Sequence, residues 1–542
     1  MARMPTGAEV IVSLLEDAGV QVCFGLPGVH NLALWEALRA SPIRLVGVRH
    51  EQTAAYAADG YARATGRLGV ALTTTGPGAA NTLGAVGEAW ASRSPVLVIA
   101  TDIPSTLRRA GAYRGVLHET DGQAAMFAPV VKSVNVVGSP GGEDVGVATE
   151  TALMHARWLP SRPVYLEVPT DLLAAPAHAP GAEWTGYAHL TPPIADAAAM
   201  LDTAEAPLIW VGGGGRDAPE EVRALAERLA APVLTTYGAA GVLPPDHPCL
   251  VGLPPHVPAA GALWDAADVV VAIGSDLDGV QTQNFAQPQP PRLIAINAEA
   301  HEPDTNYRVD VKLHGDAAQL TGQLAEAVAP RIGLDGVAQR LREVRAQACA
   351  MLDARALRFL DAIRFALPDD GVVVADMCIP GYWLAGFHTP SAPRRLQVPL
   401  GWGTLGYAFP AAIGAALAAT GPVISISGDG GFLYACGELA TVAQEAVPLT
   451  AVVVDDGGYG MLRYDQDTAG EARYGVDLVT PDFAALAASF GVRAETVDGL
   501  EDDFGAALAE HVADPDPSLL VARTPEPLIP PPNTSPNWYR RR

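Results

Sequence analysis

Lysine is almost missing from this chain. Lys132 and Lys312 are the only two, and the 35 basic residues face 60 acids for a formal net charge of -25. No basic patch stands out beyond the terminal Arg540, Arg541 and Arg542, which read as a solvated tail, so a nucleic-acid partner is not expected. Cysteine is scarce as well: Cys23, Cys249, Cys349, Cys378 and Cys436 form no CxxC pair and no Cys/His cluster with metal spacing. That pattern points to reduced, structural thiols and a cytoplasmic location. The opening "MARMPTGAEVIVSLLEDAG" carries Glu and Asp inside its apolar pattern, unlike a signal peptide. One uncharged run, Leu405 to Ser427, is long enough to span a bilayer. Pro410 and the Gly421/Pro422 break divide it, so it reads as a buried helix followed by a central strand, and no membrane partner is expected.

What is present is apolar material, 49% of 542 residues, too much chain for one core and enough for three domains at roughly 150 residues each. Strand-like runs alternate with helical periodicity throughout, the signature of parallel sheets covered by helices. The strands "VQVCFG", "RLVGV", "GVALTTT", "PVLVIAT" and "PVYLEV" form a first unit, 1–175. A Pro/Gly/Ala-rich surface linker, 174–193, leads to a second, 190–335, with "PLIWVGG", "PVLTTY", "DVVVAIG" and "RLIAIN". A helical stretch then leads to a third, 350–542, with "GVVVAD", "PVISIS", "LTAVVV" and "SLLVAR". The expected fold is α/β, with three doubly wound parallel-sheet domains whose ligands lie at the carboxyl ends of the strands.

Two strand ends carry the chemistry. "PVISIS" runs into "GDGGF" (428–432), where glycines admit a phosphate, the following helix "ACGELATVAQEA" would aim its N-terminus at the same anion, and Asp429 suits a hard cation such as Mg²⁺. A tight acidic turn is the commoner explanation of GDG alone. The next strand ends in "VVVDDGGYG" (452–460), 27 residues from Asp429 to Asp456, enough for a helix and a return strand. Asp429 and Asp456 would then sit at neighbouring strand ends and share one cation.

In these residues the chain resembles the thiamine diphosphate (ThDP) enzymes of the acetolactate synthase and benzoylformate decarboxylase type, from end to end. The resemblance implies that Asp429, Asp456 and the Gly458 carbonyl hold Mg²⁺, with Gly430, Gly431, Tyr459 and Gly460 beside the diphosphate. The chain departs from the family pattern in carrying Asp455 and Asp456 where the family has an Asn pair. The extra charge implies a stronger metal dependence of cofactor binding, while Asp455 is free to cap local backbone. "RHEQTAAYAADGYARATG" places Glu51 where the family has the glutamate that hydrogen-bonds the aminopyrimidine ring and activates the cofactor. "GWGTLGYAFPAAIGAALA" resembles the segment that bends the cofactor, with Gly403 offering a carbonyl and Leu405 acting as the wedge. "FGLPGVHN" (24–31) and "TTTGPGAAN" (73–81), with Pro27, Gly28, Thr74 and Asn81, resemble the loops facing the pyrimidine. The family forms each site from two subunits, so a homodimer or homotetramer is implied.

The resemblance further implies decarboxylation of a pyruvate-like 2-oxo acid. Two fates stay open: transfer of the acyl group to a second carbonyl, as acetolactate synthases do, or release of an aldehyde, as benzoylformate- and guanidino-oxopentanoate-type decarboxylases do. A non-catalytic ThDP-binding homologue is the third reading, against which Glu51 argues. Acetolactate synthases carry Phe-Gln-Glu where this chain has Leu117, His118 and Glu119, and a tryptophan where "GMLRYDQ" has Asp465. "GSDLDGV" (274–280) lacks the arginines that meet FAD in those enzymes, so FAD is not expected, although the run Gly212 to Gly215 resembles a dinucleotide loop. The adjacent His-His pair of yeast-type decarboxylases is missing. Two single histidines, His30 and His118, lie on loops expected to face the cofactor and are candidates to relay protons or hold a substrate carboxylate.

Overall fold

The structure is a computed structural model and describes residues 3–109, 111–138, 144–179, 192–399 and 401–532. Most of the expected linker and the chain beyond residue 532, including the terminal arginines, lie outside the described residues. Three all-parallel sheets carry the chain, as the alternation of apolar runs and helices predicts. The first has β1 (Val22–Gly25), β2 (Arg44–Gly47), β3 (Gly69–Thr73), β4 (Val96–Asp102), β5 (Ser133–Val136) and β6 (Val164–Pro169) in the order β2-β1-β3-β4-β6-β5. The second has β7 (Pro207–Val211), β8 (Val233–Thr235), β9 (Val269–Ile273), β10 (Arg292–Asn297) and β11 (Val311–His314) in the order β11-β10-β9-β7-β8. The third has β12 (Val372–Ala375), β13 (Leu396–Gln397), β14 (Val423–Gly428), β15 (Leu449–Asp455), β16 (Arg493–Asp498) and β17 (Ser518–Arg523) in the order β13-β12-β14-β15-β17-β16.

Four strands escape the sequence reading: β5, β11, β13 and β16. Each lies at a sheet edge. An edge strand is covered on fewer sides, so it needs no continuous apolar run; "SVNV" and "RAETVD" have none, and both are largely half-buried or exposed. A second correction concerns the segment after "GDGGF". The helix expected over 435–446 does not start there: a short helix, Asp429–Leu433, begins on the aspartate itself, and a tight turn at Cys436–Glu438 separates it from the helix Leu439–Glu445.

The run Leu405 to Ser427 does become a buried helix, Ala408–Ala416, followed by β14. Among the described residues no helix is long and apolar enough to cross a membrane. That buried helix packs against the helix Glu51–Thr65. The two backbones approach so closely that a Cβ on Gly60 would overlap the Ala411 carbonyl, and one on Gly414 the Ala57 carbonyl. The Arg63 guanidinium is buried beside the crossing, 2.8 Å from Asp59 and 3.2 Å from Glu88, and donates to the Val398 carbonyl. One apolar cluster therefore runs from Phe24 and Tyr56 through Phe409 to Val453, joining the first and third sheets. A second, from Trp210 through Trp383 to Val454, joins the second and third.

Candidate active site

Parallel register sets the acidic end of the third sheet. Gly428 of β14 pairs with Val454 of β15, so Asp429 and Asp456 follow neighbouring strand ends. Asp429 is buried; its Oδ1 accepts the Gly430 amide at 2.6 Å while Oδ2 has no hydrogen-bond partner, and neither has Asp456 Oδ1. Burial first and the Asp456 charge second push the Asp429 carboxyl up to about 7, and burial pushes Asp456 up to about 6 against the pull of Arg463. Two acids driven toward neutrality, with unsatisfied oxygens, fit a divalent cation, which would restore both as carboxylates. Among the described residues no three His, Cys, Asp or Glu side chains group as a metal site, so a cation here would complete its shell from a carbonyl and phosphate oxygens. The glycines here are packed closely: a Cβ on Gly430 would lie 2.6 Å from the Tyr459 ring, and one on Gly460 2.5 Å from Asp456 Oδ2. Asp455 turns away and accepts from the Gly457 amide at 3.3 Å and from Thr480 Oγ1 at 3.2 Å, which is the local capping expected of it.

Gly403 and Leu405 belong to the same end. Gly403 has φ +69, a conformation that suits glycine, and Leu405 Cδ1 lies 3.3 Å from where a Gly431 Cβ would stand. Asp376, which the sequence reading did not single out, organises this loop: it is buried and accepts the amides of Met377 (2.7 Å), Gly406 (3.0 Å) and Ala408 (3.3 Å). Burial lifts its carboxyl to about 6. Its signal was the acid ending "GVVVAD" at a strand's carboxyl end.

Glu51 is the first residue of its helix and is buried, and its Oε2 accepts Asn81 Nδ2 at 3.0 Å. Thr74 packs against Gly28, where a Cβ would stand 2.6 Å from it, and its buried Oγ1 has no partner. Pro27 is exposed at the rim. His30 and His118, 88 residues apart in sequence, meet edge to face with ring centroids 5.4 Å apart. His30 Nδ1 lies 2.8 Å from Thr75 Oγ1, which is 3.0 Å from Thr101 Oγ1. Burial first and His118 second hold His30 below its usual range. His118 has φ +67 and a buried Nδ1 without a partner. Beneath them Gln123 donates to Thr101, Tyr165 and Glu167 and accepts the Gly76 amide; no motif marked it in the sequence.

The sequence candidates thus gather in two groups, and among the described residues no hydrogen bond or ion pair joins Glu51, His30 or His118 to Asp429 or Asp456. The glycine run of the second sheet is largely self-satisfied: the amides of Gly212, Gly214 and Gly215 donate to the carbonyls of Ile273, Gly274 and Gly212. A cavity of about 1090 Å³ extends from this run to Met377, Tyr382 and Gly403.

Comparison with known proteins places three matches along the chain. Residues 5–126 match the thiamine pyrophosphate enzyme N-terminal TPP binding domain, 194–324 its central domain and 378–522 its C-terminal TPP binding domain. A probable 2-ketoarginine decarboxylase of Pseudomonas aeruginosa is 36% identical over 524 residues, covering 93% of this chain and 92% of that protein. A probable acetolactate synthase large subunit of Methanocaldococcus jannaschii is 32% identical over 561 residues, covering 97% and 93%. The acetolactate synthase large subunit of Corynebacterium glutamicum is 31% identical over 528 residues, covering 92% and 83%.

Proposed function

Because the chain belongs to the thiamine pyrophosphate enzyme family, we propose that it decarboxylates a 2-oxo acid with ThDP and Mg²⁺ and passes the acyl group to a second carbonyl, as its acetolactate synthase relatives are named to do. The observation that carries this reading is the pair of carboxylates, Asp429 buried and Asp456 half-buried, each with an unsatisfied oxygen at adjacent strand ends. Bound ThDP supplies the carbon nucleophile and electron sink that loss of CO2 requires.

The residues do the rest. Asp429, Asp456 and the Gly458 carbonyl would hold the metal against the diphosphate, with Gly430, Gly431, Tyr459 and Gly460 lining it. Gly403 and Leu405 would shape the bent cofactor, held by Asp376. Pro27, Gly28, Thr74 and Asn81 would line the pyrimidine. Glu51, oriented through Oε2 by Asn81, keeps Oε1 to hold a proton for the ring nitrogen. His30 and His118 would receive the substrate carboxylate or deliver a proton; the hydroxyls of Thr75 and Thr101 continue from His30 Nδ1. The occupied amides of the glycine run support the expectation that FAD is not bound.

Aldehyde release is the second reading, and the His30–His118 contact favours it, because protonation needs a positioned acid. The chain would work as a homodimer or larger homo-oligomer, as the resemblance to its family implies; among the described residues no hydrogen bond or ion pair joins the two groups of site residues. Exposed apolar side chains lie near both in sequence: Val29, Leu32 and Leu117 beside the histidines, Tyr434, Leu462 and Val479 toward the acids.

The deciding experiment incubates the protein with ThDP, Mg²⁺ and a panel of 2-oxo acids, measures CO2 and identifies the carbon product. An acetohydroxy acid supports transfer, an aldehyde supports the second reading, and no CO2 from any donor overturns both. Glu51→Gln is expected to keep the fold and lose roughly 100-fold or more in turnover.

A further inference from the structure

Asp456 brings one negative charge more than the Asn of the family pattern, next to Asp429 and an anionic diphosphate. Two arginines act against that charge, Arg463 first and Arg473 more weakly. Arg463 lies on the helix Gly460–Ala469, and its side chain is 12% exposed. Its guanidinium covers the turn that follows β15: Nη1 donates to the Asp456 carbonyl at 2.7 Å and Nη2 to the Gly457 carbonyl. Nη1 also lies 3.6 Å from Asp456 Oδ1, and Nε 2.7 Å from Asp477 Oδ1.

The turn is closed from the other side by backbone. The Tyr459 amide donates to the Val476 carbonyl at 2.9 Å and the Leu478 amide to the Gly457 carbonyl at 2.8 Å. A Cβ on Gly458 would overlap both the guanidinium and the Val476 carbonyl, so the fit of arginine onto turn requires glycine there. The planar fork engages the carbonyls of residues 456 and 457, and the Gly458 carbonyl, the one assigned to the metal, is not among its acceptors.

We propose that Arg463 is a positioning residue that offsets the charge of Asp456 and fixes the 456–458 turn, so that a two-aspartate site accepts Mg²⁺ together with the diphosphate. This rests on the reading that ThDP and Mg²⁺ bind at Asp429 and Asp456. Arg463 touches neither group in this account; it acts through Asp456.

The test is a binding cycle that needs no turnover. The full-length protein, freed of cofactor, is titrated with ThDP at saturating Mg²⁺ and followed by calorimetry, for the wild type, Arg463→Gln, Asp456→Asn, the double variant and Arg463→Lys, each checked for fold by circular dichroism. Removing one partner of a desolvated charge pair weakens what depends on it, so Arg463→Gln is expected to weaken ThDP about tenfold or more. Asp456→Asn in the same chain should recover part of that loss, because the charge to be offset is gone while the bonds to the two carbonyls are still missing. Arg463→Lys keeps the charge but loses the fork on the two carbonyls, and should bind ThDP between the wild type and Arg463→Gln. Unchanged affinity in Arg463→Gln, a double variant as weak as the product of the two singles, or Arg463→Lys as weak as Arg463→Gln would each overturn the proposal. A wild type that binds no ThDP would instead overturn the cofactor assignment itself. Should Arg463→Gln fail to fold, Arg463→Lys and Asp456→Asn decide it: lysine weaker than the wild type by less than about tenfold supports the proposal, and lysine weaker by more than that overturns it.

Discussion

His30 and His118 show how much a single contact changes the meaning of a residue. Each alone is an ordinary loop histidine; edge to face at 5.4 Å they form one unit, in which burial first and His118 second hold His30 below its usual range. His118→Ala is expected to lower turnover roughly 100-fold and to change the ratio of aldehyde to acyl-transfer product. Product analysis by gas chromatography checks it, and an unaltered ratio with an unaltered rate removes His118 from the mechanism. Glu167, below them, bears on stability. Burial first and Asp102 second push its carboxyl from 4.5 to about 7, against the opposing pull of Arg108 at 2.9 Å. The folded chain therefore keeps a proton there at pH values where the unfolded chain has released it, and this contribution to stability is full below about pH 4.5 and lost as pH rises through 7. Urea unfolding between about pH 5 and about pH 8 should show that decline in the wild type and a flatter profile in Glu167→Gln; parallel profiles would show that Glu167 does not titrate in this window.

At the scale of elements, the crossing of the helices Glu51–Thr65 and Ala408–Ala416 positions both groups of site residues. One helix begins with Glu51, and the other follows directly on Gly403 and Leu405. Gly60 and Gly414 let the backbones touch, and a methyl group at Gly414 has no space to enter. Gly414→Ala is expected to cost about 1–3 kcal/mol or more by overpacking, seen as a lowered denaturation midpoint; an unchanged midpoint would show that the crossing opens at little cost. The elements also mark where sequence reading succeeds. Central strands such as β4, β9, β14 and β15 are covered on both faces and announce themselves as apolar runs, whereas β5, β11, β13 and β16 are edges and do not. The helix misplaced over 435–446 failed for a different reason: Gly430 and Gly431 read as loop, yet the backbone turns helical at Asp429 because the strand end and the Gly428 cap deliver it in that direction.

For the whole molecule, the lack among the described residues of any hydrogen bond or ion pair between the two groups leads to a prediction on assembly. If each site draws on two subunits, cofactor binding and oligomer formation are linked by mass action. Dilution below the dimer dissociation constant should lower ThDP affinity, and added ThDP with Mg²⁺ should shift the sedimentation profile toward the dimer; a monomer that binds ThDP with undiminished affinity would refute the shared site. The sequence by itself determined the α/β class, the central strands and the motif residues, because these depend on local periodicity and on glycines and acids at fixed spacing along the chain. Tertiary structure alone decided that His30 meets His118, that Asp376 ties down the Gly403–Leu405 loop, that Gln123 joins the Gly76 amide to Glu167, and that Arg463 answers Asp456. The first three are contacts between segments far apart in the sequence, so only the packing of sheets and helices could bring them within reach; the last joins residues seven apart and depends on the turn between strand and helix.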